Sequence, residues 1–226
     1  MFDEFQDVLR ARAEIDAVIR SVIQHHGDAV SYVFSGSQPG MMRELFSNRR
    51  RAFFGQAGLV MLDVLAADDL APYVAERFKA GNRDPGEALE PLLDLAAGHP
   101  QRAMMLAHHV FARTGPGEHA DTDTWSEALD VVGAELQGEF EATWAGLSVR
   151  EQRLVTAIAD NRSPLFSRDS QATYGIPKTG SFRSAIEALR DSGETVPAET
   201  PTKWRLVDPL LALWVRNGRS WPFSPR

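Results

Sequence analysis

The first 37 residues carry the pattern that most limits how this chain can fold. Two apolar residues, Met1 and Phe2, precede a short acidic stretch, and apolar residues then recur at helical spacing as far as Ile23. A second apolar run, Ala29–Phe34, leads into the small-residue turn Ser35–Ser37. This order predicts a parallel strand–helix–strand unit, because parallel strands require a crossover connection. Both strands of such a unit end at one edge of the sheet, where ligands bind.

Asp3 and Glu4 directly follow the first apolar residues. We therefore expect them to lie beside Ser35–Ser37 at the carboxyl edge of the sheet. Carboxylates at a ligand-binding edge can bind a hard cation such as Mg²⁺ or act as a general base. The alternative is structural, since acidic residues in the first turn of a helix interact favourably with the helix dipole. Taken alone, the pair leaves both interpretations open.

The middle of the chain is predicted to be helical after one further short strand, Leu59–Leu62. Apolar residues recur at helical spacing from residue 68 onward, and a long helix is predicted from about Thr124 to Ala145. The tripeptide Gly98–Pro100 interrupts this region. It predicts a corner between two helices, because glycine ends helices and proline begins them.

The sequence pattern changes at residue 147, and the segments from there onward are shorter. Ser148 and Glu151 form a capping box that opens a helix. Two more short helices follow, and then two short strands near residues 194–196 and 204–207. Three helices followed by a β-hairpin predict a winged helix-turn-helix. We expect Trp204 and Trp214 to be core residues of this region.

Composition excludes several classes of protein. The chain is 43% hydrophobic and 24% charged, which argues against disorder, and it has no cysteine, which excludes disulfides and thiolate metal sites. The net charge of −7 disfavours nucleic-acid binding over the whole surface. No stretch is apolar enough to span a membrane, and no signal pattern precedes the first helix, so we expect a cytoplasmic protein. The adjacent pairs His25–His26 and His108–His109 cannot chelate a metal from one helix face.

Four motifs in this order resemble those of a prokaryotic, archaeal-type AAA+ P-loop ATPase related to the STAND group. Asp3–Gln6 resembles the end of its Walker B motif, and Phe34–Ser37 resembles its sensor turn. Gly98–Pro100 is similar to the motif of the helical lid near the adenine, and Arg102 falls near the position of a sensor arginine. Val207–Trp214 resembles the last segment of the winged helix. The resemblance covers essentially the whole chain, as the C-terminal two-thirds of such an ATPase.

The resemblance implies ATP and Mg²⁺ as cofactors and assigns roles to individual residues. Asp3 would hold Mg²⁺ through water, and Glu4 would act as general base. Ser37 would sense the γ-phosphate. The Gly98–Pro100 turn and Arg102 would contribute to nucleotide binding.

The implied fold class is an α-rich α/β protein with three parts. Residues 1–66 would be a remnant of the parallel sheet of a P-loop ATPase, from the Walker B motif onward. Residues 67–146 would be an all-α lid, and residues 147–226 a C-terminal winged helix-turn-helix domain.

The sequence departs from this family in one respect, since it contains no Walker A loop. The only similar stretch, Pro177–Gly180, lacks the upstream glycine and lies in a turn of the predicted winged helix. In the family the strand that bears this loop lies between the sensor strand and the last strand, here Val30–Phe34 and Leu59–Leu62. Its absence predicts two open apolar edges, which invite association with another chain. We therefore expect a fragment, from a late start, a split gene or a decayed gene, that binds nucleotide when a P-loop portion is supplied and does not hydrolyse ATP alone.

The predicted winged helix supports an alternative function, a non-enzymatic regulator that binds DNA or protein. Basic side chains that could contact phosphates are Lys178, Arg183, Arg190, Lys203 and Arg205. Acidic residues that offset them are Glu187, Asp191, Glu194 and Glu199. Because the region is nearly neutral, docking to a protein remains an alternative to reading DNA.

Overall fold

The computed structural model describes residues 1–11 and 14–221 of the chain. They form two compact units. The first contains Met1–Leu62 and Arg183–Val196, and the second contains Asp63–Phe182 and Pro197–Arg226. The three functional domains predicted from the sequence stay a prediction, and residues 222–226 of the last one lie outside the described residues.

Helices dominate both units, as the predicted fold class requires. The α-helices of the described residues are α1 (Val8–Ala11), α2 (Ile15–Ile23), α3 (Pro39–Ser47), α4 (Ala67–Ala80), α5 (Leu89–Ala96), α6 (Pro100–Arg113), α7 (Thr122–Gly146), α8 (Val149–Asp160), α9 (Arg168–Tyr174), α10 (Gly180–Asp191) and α11 (Pro209–Arg216). Short 3₁₀ segments are Phe5–Asp7, Gln24–Ala29 and Gly86–Ala88. Two strands, β1 (Thr195–Pro197) and β2 (Trp204–Leu206), pair with each other.

An aromatic core organises the first unit. Phe5, Leu45, Phe46 and Phe53 are almost fully buried. The ring centroids of Phe5 and Phe34 are 4.5 Å apart, so the core reaches directly to the end of the second apolar run. Partly buried side chains that pack against this core are Val8, Leu9, Ile19, Ile23, Phe34 and Met42. The spacing that predicted one long helix here gives α1 and α2, and residues 12 and 13 between them lie outside the described residues.

The two predicted buried strands of the first unit are not formed as predicted. Within the described part of the chain, Val30–Phe34 makes a single parallel bridge, between Phe34 and Phe2, and Val33 is 58% exposed. Leu59–Leu62 is not a strand, and Leu62 is 91% exposed. The physical reason is that a parallel strand is stable only within a ladder of neighbouring strands. The described residues offer Val30–Phe34 one such neighbour and Leu59–Leu62 none.

The second unit has a helical core with well-defined ends. Leu106 of α6 and Val132 and Leu136 of α7 are buried, as is Trp214 of α11. The predicted capping box is confirmed, because the Ser148 N–H donates to Glu151 Oε2 at 2.7 Å and the Glu151 N–H donates to Ser148 Oγ at 3.4 Å.

The two tryptophans predicted as core residues differ in burial. Trp214 is 2% exposed, and its Nε1–H donates to Gln137 Oε1 at 3.0 Å. Trp204, on β2, is only half-buried. The prediction is therefore confirmed for Trp214 and holds only in part for Trp204.

Within residues 1–11 and 14–221, none of the helices combines the length and apolar character needed to cross a membrane. The predicted cytoplasmic location stays a prediction.

Candidate functional site

A short parallel pairing brings the acidic pair and the Ser35–Ser37 turn together. The Phe2 N–H donates to the Val33 carbonyl at 2.8 Å, and the Ser35 N–H donates to the Phe2 carbonyl at 2.8 Å. The Phe5 N–H then donates to the Ser35 carbonyl at 2.9 Å. Because the two segments run parallel, the residues that follow Phe2 and Phe34 lie at the same edge. The predicted juxtaposition of Asp3, Glu4 and Ser37 is thus present.

The side chains at this edge form one oxygen-rich cluster. Ser35 Oγ donates to Asp3 Oδ1, and Ser37 Oγ donates to Glu4 Oε2 at 2.9 Å. Gln6 Nε2 donates to the same Glu4 oxygen. Glu4 adopts a left-handed backbone conformation with φ of 48°, which non-glycine residues rarely adopt. A short turn held by three side chains therefore fixes the direction of the Glu4 carboxylate.

These hydrogen bonds set the charge state of Glu4. The hydrogen bond from Gln6, followed by that from Ser37, holds the pKa of Glu4 below its ordinary value of 4.5. Both hydrogen bonds favour the ionised form, because an ionised carboxylate is the better acceptor. Glu4 is therefore a carboxylate at neutral pH, in the form that a general base requires.

Gln6 is a functional candidate that the sequence analysis identified only as part of a motif. Its side chain is 2% exposed and touches Glu4 and, at 3.4 Å, Ser37 Oγ. Its Oε1 has no hydrogen-bond partner among the described residues, and it lies against Gly36, where a Cβ would collide with it. The orientation of the amide follows from Glu4, which accepts only from the NH₂ group. Its position directly after Phe5, at the end of the Asp3–Gln6 motif, was the available signal.

The donor chemistry of this cluster suits Mg²⁺ only in part. Carboxylates and hydroxyls are oxygen donors, as a hard cation prefers. The described residues contain no group of three or more His, Cys, Asp or Glu that could hold an ion. Mg²⁺ in nucleotide sites commonly keeps several waters and binds one or two carboxylates plus phosphate oxygens. Asp3 and Glu4 fit that partial protein contribution.

The Gly98–Pro100 turn belongs to the second unit and forms the corner between α5 and α6. Pro100 is the first residue of α6, and His99 caps that helix by accepting the Arg102 N–H. Gly98 has φ of +76°, and its carbonyl accepts the Leu65 N–H at 2.9 Å. The structural alternative raised from the sequence, a helix–helix corner, thus describes this turn. The adenine-binding role stays a prediction.

Arg102 is held by carboxylates. It is 5% exposed, and its Nη2 donates to Asp208 Oδ2 at 2.6 Å and to Glu139 Oε1 at 2.8 Å. Burial alone would lower the pKa of Arg102, but Asp208 and then Glu139 outweigh burial, and the pKa is raised. This guanidinium acts as an ion-pair centre within the second unit, and its predicted role as a nucleotide sensor would require it to leave these partners.

Two of the five basic candidates for DNA contact are engaged in ion pairs. Arg190 Nη2 lies 2.5 Å from Glu187 Oε2 and 3.1 Å from Asp191 Oδ1. Arg205 Nη2 lies 3.4 Å from Asp63 Oδ1. Their charges are therefore partly neutralised by neighbours.

The other three basic candidates are exposed. Within the part of the chain that the structure describes, Lys178, Arg183 and Lys203 make no ion pair. Their charges are consequently available to a phosphate or an acidic partner.

Comparison with known proteins finds a likeness in structure alone. No family model matches the sequence, and no curated protein matches it. A solved structure, the Walker-type ATPase of Pyrococcus abyssi, superposes with a TM-score of 0.73 and 19% sequence identity. The match covers 95% of this chain and 62% of that chain. The chain therefore spans about 62% of the length of that ATPase and shares its fold over that part.

Proposed function

We propose that this chain contributes the acidic half of a P-loop nucleotide site, in an ATPase of the AAA+, STAND-related class. The site becomes complete when a Walker A loop is supplied by a further polypeptide segment. In this proposal the chain binds ATP and Mg²⁺ only in the completed form and does not hydrolyse ATP alone.

The hydrogen bond between Ser37 Oγ and Glu4 Oε2, at 2.9 Å, carries the proposal. It joins residues 33 positions apart, at the carboxyl end of a parallel pairing. That is the edge at which open α/β sheets bind ligands. The likeness in fold to a Walker-type ATPase supports the same assignment.

Each residue of the cluster has a defined task in this proposal. Glu4, kept ionised, orients and polarises the attacking water, and Gln6 fixes the direction of its carboxylate. Asp3 would hold Mg²⁺ through water, and Mg²⁺ would supply neutralisation of charge on the phosphates. Ser37 would sense the γ-phosphate, and its hydrogen bond to Glu4 would link the two. The Gly98–Pro100 turn and Arg102 belong to the helical lid and contribute to nucleotide binding once Arg102 is released from Asp208.

The first test compares the thermal stability of the chain with that of a version fused to a strand and Walker A loop, each with and without Mg-ATP. At one hundred times the dissociation constant, a ligand adds about 2.7 kcal/mol of apparent stability. We expect this gain only in the fused form. If neither form responds, the chain is not part of a nucleotide site.

Substitutions in the fused form then assign the roles. Glu4→Gln should keep ATP binding and lose at least a hundredfold in hydrolysis, within the range that general bases contribute. Asp3→Asn should weaken the dependence on Mg²⁺. Asp7→Asn is the matched control, because Asp7 is exposed and, within the described residues, its carboxylate pairs with the exposed Arg10 at 3.2 Å. Equal effects of Glu4→Gln and Asp7→Asn would show that Glu4 has no specific role.

A second candidate function is binding of DNA or an acidic protein through a C-terminal winged helix. Among residues 1–11 and 14–221, Lys178, Arg183 and Lys203 are exposed and make no ion pair, which favours it. In a DNA titration, Arg183→Ala and Lys203→Ala should each lower the slope of log affinity against log salt by about 1. Arg190→Ala is the control and should change it less, since Arg190 is already paired with Glu187. A salt-independent or absent interaction with DNA would leave a protein partner for these side chains.

A further inference from the structure

Two tryptophans and one carboxylate line a cavity of the second unit that the proposed function does not use. The cavity has a volume of about 240 Å³ and is lined by Glu141, Trp144, Trp214, Gly218 and Arg219. The first two residues lie near the end of α7, and the others lie in or directly after α11. The ring centroids of Trp144 and Trp214 are 6.4 Å apart, and their planes meet at 70°. Indole rings beside a carboxylate are the groups with which proteins bind organic cations.

A cation of the chain itself already lies over one of these rings. Arg219 Cζ is 5.5 Å from the centroid of the Trp144 ring, although the Arg219 side chain is exposed. Arg219 has a left-handed backbone with φ of 67°, and its N–H donates to the Trp214 carbonyl at 2.9 Å. Such conformations persist only where the surroundings hold them, and they are concentrated at ligand-binding positions. The turn after α11 therefore places a positive charge on the Trp144 ring.

The negative charge of the cavity is held in place but not neutralised. Glu141 Oε1 accepts Gln137 Nε2 at 2.6 Å, and Gln137 Oε1 accepts the Trp214 Nε1–H at 3.0 Å. This relay fixes one oxygen of the carboxylate. Among the described residues Glu141 makes no ion pair, even though Arg219 lines the same cavity. An unpaired carboxylate beside an indole ring attracts a cation from solution.

We propose that this cavity binds a quaternary ammonium group, which displaces Arg219 from the ring of Trp144. Of the side chains that line the cavity, only the Glu141 carboxylate can accept a hydrogen bond, because indole and guanidinium groups only donate. A guanidinium or a primary ammonium would therefore leave most of its donors without a side-chain acceptor. A quaternary ammonium group has no donors to satisfy, and it binds through its charge to the aromatic ring and the carboxylate.

The first experiment locates the binding by the indole N–H signals of the chain labelled with isotopic tryptophan. Choline chloride is the probe, and sodium chloride keeps the ionic strength constant. We expect a saturable shift of the Trp144 signal, which Trp144→Leu assigns, and no shift of the half-buried Trp125 on the same helix. An unmoved Trp144 signal, or equal shifts of both signals, would overturn the proposal.

An uncharged analogue separates charge from apolar contact. In the tert-butyl analogue of choline, carbon replaces the charged nitrogen and the shape stays the same. We expect this compound to bind about tenfold more weakly than choline, because it lacks the attraction to the ring and to Glu141. Equal dissociation constants for the two compounds would mean apolar contact alone and would also overturn the proposal.

Two substitutions of exposed side chains test the charges, with equilibrium dialysis of labelled choline as the measurement. Glu141→Gln should weaken binding at least fivefold, whereas Glu127→Gln, at an exposed acid of the same helix outside the cavity, should leave it unchanged. Arg219→Ala should strengthen binding, because it removes the competing guanidinium. Arg150→Ala is its control and removes an exposed cation of α8.

The variant of Arg219 distinguishes a displaced occupant from a structural side chain. If Arg219 only stabilised the turn after α11, its loss would weaken binding of choline or leave it unchanged, and either result would contradict the proposal. Equal effects of Glu141→Gln and Glu127→Gln would place the cation elsewhere. Urea unfolding of each variant confirms that it is folded.

The same trimethylammonium group occurs in small soluble compounds and in trimethylated lysine side chains. Dialysis against choline and against a short peptide with one trimethyllysine distinguishes these sources, since the tighter ligand identifies the source. The same peptide with unmodified lysine, and guanidinium chloride at equal concentration, should both bind at least fivefold more weakly. If either binds as tightly as choline, the cavity has no preference for a quaternary ammonium group and the proposal is wrong.

Discussion

One carboxylate oxygen of Asp208 binds Arg102, and the other caps helix α11. Its Oδ2 accepts from Arg102 Nη2 at 2.6 Å and from Nε at 3.1 Å. Its Oδ1 caps α11 by accepting the N–H groups of Leu210 at 2.9 Å and Leu211 at 3.3 Å. A residue near the start of α6 is therefore tied to the start of α11 through a single side chain. This link lies within the second unit.

Removing the charge of Asp208 should destabilise the protein strongly. Asp208→Asn keeps a capping oxygen but leaves the buried Arg102 with one partner, and the expected loss in unfolding free energy is on the order of 3 kcal/mol. Asp208→Ala should cost about 1 kcal/mol more, because the cap is lost as well. Urea unfolding measures both. Glu139→Gln is the control, and it should cost under about 1 kcal/mol because Glu139 is 56% exposed. Equal losses for Asp208→Asn and Glu139→Gln would show that burial of the pair is not decisive.

His99 should make stability depend on pH near neutrality. Burial lowers the pKa of His99 below its ordinary value of 6.5, and its Nδ1 must stay unprotonated to accept the Arg102 N–H. The unfolded chain therefore binds the proton more readily than the folded chain. The contribution of neutral His99 to the free energy of unfolding is fully present above pH 6.5. It is lost as the pH falls from 6.5 towards the lower pKa of His99 in the folded chain.

A matched pair of variants isolates this effect in unfolding measured between pH 5 and pH 8. His99→Asn retains a capping side chain that does not titrate, so its stability should change less over this range. His99→Ala should be less stable by about 1 kcal/mol at the upper end of the range, since it lacks the cap. An unchanged pH dependence in His99→Asn would assign the effect to another group.

Gly133 should tolerate alanine only when Trp221 is absent. Gly133 lies in the middle of α7, where alanine would ordinarily stabilise the helix by about 1 kcal/mol. The indole of Trp221 packs directly on this glycine, and its Nε1–H donates to the Leu129 carbonyl at 2.8 Å. A Cβ at position 133 would collide with that ring.

We expect Gly133→Ala alone to destabilise the protein by about 1–3 kcal/mol through overpacking. In a Trp221→Ala background the same substitution should stabilise it by about 1 kcal/mol. Thermal unfolding of the four variants measures this change of sign. The same sign in both backgrounds would mean that Trp221 is not the obstacle.

Gly98 and its neighbour Ala97 should respond in opposite directions. Both have positive φ, +76° and +47°. Gly98→Ala should be destabilising, because a Cβ there would collide with the Leu65 carbonyl and would lie 2.9 Å from Val64 Cβ. Ala97→Gly should be neutral or stabilising by up to about 1 kcal/mol, because it relieves the cost of a left-handed alanine. Denaturant unfolding in the absence of nucleotide checks both. Neutral behaviour of Gly98→Ala without ligand would remove the structural explanation of this glycine.

Local patterns predicted the helical parts of this chain well. The Ser148–Glu151 capping box and the two short helices after it, α9 and α10, lie where the sequence indicated. Their signals act within one turn of a helix, so no distant partner is needed. The predicted strands Val30–Phe34 and Leu59–Leu62 are not formed as predicted. A strand, unlike a helix, is stabilised by neighbouring strands that can lie far away in the sequence.

The candidate site likewise has features that the sequence predicted and features that the tertiary structure alone decided. The sequence alone determined that Asp3, Glu4 and Ser37 would meet, because a parallel strand–helix–strand unit places both strand ends at one edge. Only the tertiary structure decided that Gln6 is buried against Glu4 and that Arg102 is bound by Asp208. Those facts depend on which side chains and backbone groups come together over long distances in the chain, and such contacts leave no periodic pattern in the sequence.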